Sequence, residues 1–205
     1  MPPSVRKRPK PGERRVQILQ ALATMLEQPG AERVTTAALA ARLEVSEAAL
    51  YRHFASKAQM FEGLIEFIEQ SVFTLVNQIL ERPPAHTDDS AAVAARQCVA
   101  IATMLVQFAE RNPGMTRVMV GDALVFENER LQQRMNQFFD KIEATLRQCL
   151  RAGAEPSGSA TPTVDAQVRA SLLTAFLVGR LQRFARSGFR RPPSEYLEAS
   201  LARML

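Results

Sequence analysis

Residues 35–59 constrain the fold most, because they carry the signals for two short helices and a turn in close succession. Residues 37–43 are rich in alanine, which favours a helix that another helix can approach closely. Residues 47–53 form a second helical segment, and Glu44 and Val45 remain for the turn between the two. Two short helices joined by a tight turn are typical of a helix-turn-helix, whose second helix lies in the DNA major groove.

Hydroxyl side chains stand at the start of each predicted helix in this stretch. Thr35 or Thr36 precedes the first helix and Ser46 precedes the second, and such side chains accept a hydrogen bond from a backbone N–H of the first turn. Ser56 opens a third helix. Gln59, three positions later, predicts a capping box in which the two side chains satisfy each other's backbone donors.

The first turn of the second helix is small and polar, so it is suited to entering a groove. Glu47 can accept a hydrogen bond from cytosine N4, and Ala48 can touch a thymine methyl group. The structural alternative is that Glu47 only complements the dipole of its helix. Hydroxyls and cations donate to phosphate, and the residues expected to contact the DNA backbone are Thr35, Thr36, Ser46, Tyr51, Arg52, His53 and Lys57. For Tyr51 the alternative is a place in the small core of this domain.

The positive charge is concentrated at one end of the chain. Residues 1–60 contain ten of the 26 Lys and Arg and five of the 21 Asp and Glu, so the remaining residues are neutral and the net charge of +5 belongs to this end. A basic end and a neutral remainder fit a protein that meets polyanionic DNA at one end only. We expect the Pro-rich residues 1–13 to be a disordered basic arm that either contacts the DNA backbone or stays solvated.

The rest of the chain predicts an all-α fold of about nine helices. Besides the two short helices, apolar residues at helical spacing predict helices over 15–28, from Ser56 to Pro83 and Pro84, and over 90–111, 113–120, 126–151, 165–186 and 194–205. Ser90 is the candidate N-cap of the 90–111 helix, which is apolar almost all round and is therefore central or covered by a second molecule. Residues 153–163 predict a flexible surface loop.

Several functional classes are not expected from this composition. No run approaches the roughly 20 apolar residues that span a bilayer, and the N-terminus lacks the apolar segment of a secretory signal, so we expect a cytoplasmic protein without membrane contact. Cys98 and Cys149 are too few for a disulfide framework and are expected to be buried thiols. With only His53 and His86 and no Gly-rich phosphate loop, the chain predicts no enzyme, metal site or cofactor.

The segment VSEAALYRHFASKAQMFEGLIEFIE, residues 45–69, resembles the recognition helix and the following helix of the TetR family of bacterial regulators. The resemblance implies that Tyr51, His53 and Lys57 contact phosphates. It also implies a homodimer built through the last two helices. Two recognition helices on a twofold axis bind a palindrome, which increases the specificity of a short helix.

Residues 50–69 and 108–148 resemble more closely one branch of this family, the nucleoid occlusion factors. This implies a nucleoid-associated protein that binds short palindromes on the chromosome, antagonises polymers of the tubulin-like GTPase FtsZ and blocks septum formation over the nucleoid. In that branch the partner binds a groove between the fourth and fifth helices. The positions implied here are Phe67, Met104, Gln107, Arg111 and Asn112, whereas Leu75, Gln107 and residues 81–99 depart from the branch pattern.

Two interpretations therefore remain open for residues 60–205, which follow the DNA-binding domain of residues 14–59. In the first, this region is a helical dimerisation and partner-binding domain. In the second, the chain is a conventional repressor released from one operator by a small molecule bound in this region. The sequence favours the first, because no inward cluster of polar side chains is evident. For Phe67 and Met104 the alternative is plain core packing.

Overall fold

The computed structural model describes residues 12–28, 34–83, 89–154 and 160–205, and these residues form helices and connecting turns without strands. The predicted all-α class is confirmed. The described helices are α1 (Glu13–Leu26), α2 (Thr36–Arg42), α3 (Glu47–Tyr51), α4 (Lys57–Leu80), α5 (Ser90–Arg111), α6 (Pro113–Met119), α7 (Glu129–Ala154), α8 (Pro162–Arg186) and α9 (Leu197–Met204), with a 3-10 helix at Asp122–Leu124. Residues 1–11 of the predicted arm lie outside the described residues, and its last residue, Glu13, belongs to α1 instead.

We call α1–α3 the N-terminal domain and α5–α9 the body, and α4 belongs to both because it runs from one into the other. Helix α5 packs against α4, α6, α7, α8 and α9, which makes it the central helix of the body. Val34, which precedes α2, is buried in the N-terminal domain. The boundary at residues 59 and 60 stays a prediction.

Several details of the predicted helix starts are wrong. Helix α1 begins at Glu13 rather than residue 15, and α8 begins at Pro162 rather than residue 165. The predicted loop of residues 153–163 is shorter at both ends, because α7 extends to Ala154 and α8 begins at Pro162.

Asp89, not Ser90, caps α5, because its Oδ1 accepts from the Ala92 N–H at 2.6 Å. Helix α7 begins at Glu129 rather than residue 126, after the 3-10 helix. Helix α9 begins at Leu197 rather than residue 194, because Tyr196 has a φ of 54°, which no α-helix accommodates.

The predicted capping box at the start of α4 also forms differently. The Ser56 hydroxyl accepts from the Gln59 N–H at 3.2 Å, as expected. The Gln59 Oε1 atom, however, accepts from the Ala55 N–H at 2.9 Å, one residue before the donor that a capping box uses. The Gln59 side chain therefore holds the loop between the recognition helix and α4 at Ala55 rather than at Ser56.

The long apolar helix α5 corrects one expectation from composition. By length and composition this helix is apolar enough to cross a membrane, contrary to the expectation that no segment would be. Its five packing partners account for that character, because a helix surrounded by other helices is apolar on most of its faces.

The two cysteines lie in the contact between α5 and α7. Cys98 and Cys149 are both buried and free, as predicted. A hydrogen bond with Cys149, together with burial, raises the pKa of the Cys98 thiol above its ordinary value. The Cys98 thiol also donates to the Leu146 carbonyl oxygen at 3.9 Å. Cys98 therefore stays protonated and inert at neutral pH.

Helix α6 holds the N-terminal domain on the body through a glycine. A Cβ atom at Gly114 would lie 1.9 Å from the carbonyl oxygen of Ala23 in α1 and 2.8 Å from its carbonyl carbon. Only glycine permits so close an approach of the two backbones. Pro113 occupies the first position of α6, as predicted, where its missing N–H costs no hydrogen bond.

Candidate nucleic-acid interface and partner groove

Helices α2 and α3 are joined by a turn whose geometry the backbone defines. The N–H of Val45 donates to the Ala40 carbonyl at 3.0 Å, and the N–H of Glu44 donates to the Ala41 carbonyl at 3.1 Å. This pair of bonds is a Schellman motif, which requires a left-handed residue, and Glu44 supplies it with a φ of 54°. The turn predicted at Glu44 and Val45 is thus present, and it ends α2 sharply enough for α3 to form a helix-turn-helix.

Two of the predicted DNA contacts also serve as helix caps. The Thr35 Oγ1 atom accepts from the Ala38 N–H at 3.1 Å, and the Ser46 hydroxyl accepts from the Ala49 N–H at 3.2 Å. Both side chains are exposed. Because a hydroxyl that accepts one hydrogen bond keeps its own proton, each is still able to donate to a phosphate.

Thr36, Glu47 and Tyr51 form a hydrogen-bonded cluster that joins α2 to α3. The Thr36 hydroxyl donates to Glu47 Oε2 at 2.6 Å, and the Tyr51 hydroxyl donates to Thr36 Oγ1 over a longer 3.5 Å. This cluster was not predicted from sequence, because its members are 11 and 15 positions apart. It orients the Glu47 carboxylate toward α2, and Glu47 Oε1 takes no part in the bond to Thr36.

Ala48 lies in the first turn of α3, and the remaining predicted contacts lie around the end of that helix. Ala48, Arg52 and His53 are exposed, and the Tyr51 side chain is 44% exposed rather than buried in the core of its domain. Sequence analysis missed the residue that fixes this end. Arg15 in α1 donates to the His53 carbonyl at 2.9 Å, and its guanidinium lies 4.1 Å from the centre of the Phe54 ring. Arg15 therefore stabilises the end of the recognition helix by a hydrogen bond and a cation–π contact.

Lys57 differs from the other predicted contacts because it already has an anionic partner. Its Nζ atom lies 2.5 Å from Glu127 Oε1, and it stands 5.7 Å from the centre of the Phe61 ring. The Lys57 side chain is 33% exposed and that of Glu127 is 10% exposed. Lys57 is the first residue of α4, so this ion pair connects the N-terminal end of α4 to the turn before α7.

A groove of about 730 Å³ runs between α4 and α5. Its walls are mainly apolar, and two arginines, Arg82 and Arg96, stand among the lining residues. The lining also includes Leu75, Gln78, Ile79, Pro83, Val93, Ala95, Gln97, Val99, Ala100, Thr103, Met104 and Gln107. None of the described lining residues is acidic. The described lining is therefore mainly apolar and carries two arginines.

The predicted partner-binding residues divide between this groove and its surroundings. Met104 and Gln107 line the groove, whereas Phe67, Arg111 and Asn112 are not among its lining residues. Phe67 is 40% exposed on α4, which disagrees with plain core packing, and Met104 is half-buried. The Asn112 amide donates to the Phe108 carbonyl at 2.8 Å, so this side chain supports the corner between α5 and α6.

Comparison with known proteins agrees with this geometry. Residues 18–64 match the family model described as bacterial regulatory proteins of the tetR family, and residues 95–204 match the SlmA-like model of the tetracyclin repressor-like C-terminal domain. The nucleoid occlusion factor SlmA of Photobacterium profundum is 52% identical over 187 residues, which cover 91% of this chain and 91% of that protein. The chain belongs to the SlmA family of nucleoid occlusion factors. The resemblance seen in the sequence is thus confirmed.

A second relative and a solved structure also match nearly the whole chain. The nucleoid occlusion factor SlmA of Idiomarina loihiensis is 49% identical over 186 residues, which cover 91% of this chain and 90% of that protein. Among solved structures, the transcriptional regulator FadR of Bacillus subtilis in complex with stearoyl-CoA has a TM-score of 0.72 and covers 92% of this chain and 96% of that chain. At 13% identity this second likeness concerns the fold alone.

Proposed function

We propose that this protein binds chromosomal palindromes as a homodimer and, while bound, antagonises FtsZ polymers and blocks septum formation over the nucleoid. It acts in the cytoplasm, on the nucleoid, and catalyses no reaction. The observation that carries the proposal is the sequence identity of about half, over nine-tenths of the chain, with proteins named as nucleoid occlusion factors.

The proposed DNA contacts fall into two groups. Glu47 and Ala48 begin the recognition helix and contact base edges, which provides specificity. The other seven residues contact phosphates and position the helix without selecting a sequence, and they are Thr35, Thr36, Ser46, Tyr51, Arg52, His53 and Lys57. The exposed hydroxyls at two helix starts support this assignment, as do the exposed cation and ring groups at the end of α3.

The exposed face of α8 supports the homodimer. Val164, Val168 and Leu172 recur every four residues and are 58%, 53% and 58% exposed in the single chain. Apolar side chains at this spacing form one stripe along a helix, and such a stripe is removed from water when a second copy packs against it. A twofold dimer places two recognition helices on the two halves of a palindrome.

The groove between α4 and α5 is the proposed FtsZ site. Its apolar walls suit the apolar side chains of a short peptide, and Arg82 suits an acidic group beside them. We assign this groove to the C-terminal tail of FtsZ, with Met104 and Gln107 in its lining. Phe67, Arg111 and Asn112 are assigned to the surface beyond the groove.

Genome-wide chromatin immunoprecipitation of the tagged protein in its own host tests the proposed function directly. We expect many palindromic sites spread along the chromosome and few near the replication terminus. One or two sites beside its own gene or a transporter gene would instead identify a ligand-inducible repressor, and the proposal would be abandoned.

A substitution in the groove separates partner binding from DNA binding. Met104→Glu adds a negative charge to the groove lining, and we expect it to lower FtsZ binding at least roughly tenfold while leaving DNA affinity unchanged. Sedimentation of FtsZ polymers with site-bearing DNA measures the first quantity, and fluorescence anisotropy measures the second. Asn77→Glu is the matched control, because Asn77 is exposed on α4 and is not a lining residue. Equal FtsZ binding by the two variants would contradict the groove assignment.

A further inference from the structure

Three ion pairs connect α4 to the beginning of α7. Lys57 pairs with Glu127, Glu62 with Arg130, and Glu69 with Arg134. The partners follow the same order along both segments, so the N-terminal end of α4 lies beside the N-terminal end of α7. We call these contacts the α4–α7 ion pairs.

The polarity of the first pair is opposite to that of the other two. Glu62 and Glu69 place their negative charge on α4, and the corresponding cations belong to α7. In the first pair the cation, Lys57, belongs to α4 at the end nearest the recognition helix. Of the three cations, Lys57 is thus the one adjoining the surface that we propose for DNA.

The Lys57 ammonium group has three N–H donors, but a phosphate bound beside the Glu127 carboxylate is repelled by it. The ammonium group lies 2.5 Å from a Glu127 oxygen, and a phosphate that receives a close hydrogen bond from it competes with that carboxylate. The carboxylate of Glu127 is nearly buried, and its backbone N–H is bonded to the Leu124 carbonyl at 3.0 Å. Lys57 is more exposed and has a flexible four-carbon stem, so the lysine is the partner able to move.

We infer that Glu127 holds Lys57 in the absence of DNA and that Lys57 exchanges this carboxylate for a DNA phosphate when the N-terminal domain binds a duplex. Glu127 is thus a positioning residue that lowers DNA affinity through Lys57. The same exchange frees the turn before α7, so DNA binding loosens one contact between α4 and the body. This inference rests on the proposed DNA-binding function and names a residue that the proposed contacts do not include.

A double-mutant cycle on DNA affinity tests the exchange. The probe is a 30-base-pair duplex selected by the wild-type protein from a random-sequence library, and affinity is measured by fluorescence anisotropy at several salt concentrations. We expect Glu127→Gln to tighten binding roughly two- to fivefold, the range that partly exposed ion pairs support. Lys57→Met should weaken binding and reduce the slope of log affinity against log salt by about 0.9, the value for one phosphate contact.

The decisive quantity is the coupling between the two substitutions. In the Lys57→Met background we expect Glu127→Gln to have no further effect, because the competition has been removed. Glu129→Gln is the matched control, since Glu129 is an exposed carboxylate at the same end of α7. Equal gains from Glu127→Gln and Glu129→Gln would indicate a general charge effect and overturn the inference, as would independent effects of Lys57→Met and Glu127→Gln.

Hydrogen–deuterium exchange of the wild-type protein gives a second test that needs no variant. The selected duplex should accelerate exchange in residues 124–131, because the turn before α7 loses its ion pair. Unchanged exchange there, with the duplex bound, would overturn the inference. If no duplex is enriched by the selection, the proposed DNA-binding function fails instead, so the two failures are distinguishable.

Discussion

Two of the contacts that hold the N-terminal domain on the body differ in physical kind. At the α1–α6 contact, Gly114 touches the backbone of Ala23, and no space remains for even a methyl group. At the α4–α7 contact, long charged side chains meet near the surface, with Arg130 60% exposed and Arg134 34% exposed. The first contact depends on close backbone packing, whereas the second adds exposed charge pairs to the edge contact of Phe73 with Phe138.

The two kinds of contact have different capacities for change. A close backbone contact has one arrangement, because a small displacement opens a void or causes a clash. Surface ion pairs contribute little stability each, are screened by salt and exchange partners readily. We therefore consider the α1–α6 contact the fixed point about which the N-terminal domain is held, and the α4–α7 contact the adjustable one.

Gly114→Ala should have the largest effect of any single change at these contacts. The new Cβ atom would lie 1.9 Å from a backbone oxygen, so α1 and α6 must separate. We expect a loss of at least about 3 kcal/mol in the free energy of unfolding, at the upper end of what overpacking costs, measured by urea denaturation. Gly63→Ala is the graded control, because its Cβ would meet only the Phe54 ring edge at 3.0 Å and a Leu19 methyl at 3.3 Å. Equal losses for the two glycines would contradict a fixed α1–α6 contact.

Arg134→Met should have a smaller and salt-dependent effect. A hydrogen bond to Glu69 raises the pKa of Arg134, and the substitution leaves the mostly buried Glu69 carboxylate without that cation. We expect a loss of about 1 kcal/mol at low salt, the upper range for partly exposed pairs, and less than half of it in 1 M NaCl because salt screens the attraction. Arg130→Met should cost less, since Arg130 is more exposed. A loss that does not depend on salt would indicate that packing, not charge, holds this contact.

The parts of the fold that sequence predicted well are those fixed by neighbouring residues. The caps Thr35, Ser46 and Ser56 act within three positions, so the beginnings of α2, α3 and α4 follow from local chemistry. The beginnings of α7 and α9 follow instead a 3-10 helix and the left-handed Tyr196, and neither the 3-10 helix nor α9 has a side-chain cap. Those two starts were therefore misplaced by three residues.

The candidate site shows the same difference between local and long-range interactions. Most of the predicted DNA contacts are exposed, although Thr36 and Lys57 are half-buried. The partners of these residues were not predicted, because Thr36 and Glu47 are 11 positions apart and Lys57 and Glu127 are 70 positions apart. Charge pairs at such separations depend on how the helices pack, and the sequence pattern alone does not specify that packing.

The two buried thiols test how far the adjustable contact extends. Their labelling rate reports whether DNA binding moves the whole of α7 or only the turn before it. Cys98 and Cys149 are 0% and 6% exposed between α5 and α7, and the raised pKa keeps the Cys98 thiol protonated at pH 8. If DNA loosens only the first α4–α7 ion pair, the labelling rate with a disulfide reagent should stay within about twofold of the DNA-free rate, since the core contact is undisturbed. Urea-unfolded protein, in which both thiols react, is the positive control. Faster labelling with DNA bound would mean that α7 separates from α5 along its length, and the adjustable contact would then extend through the body.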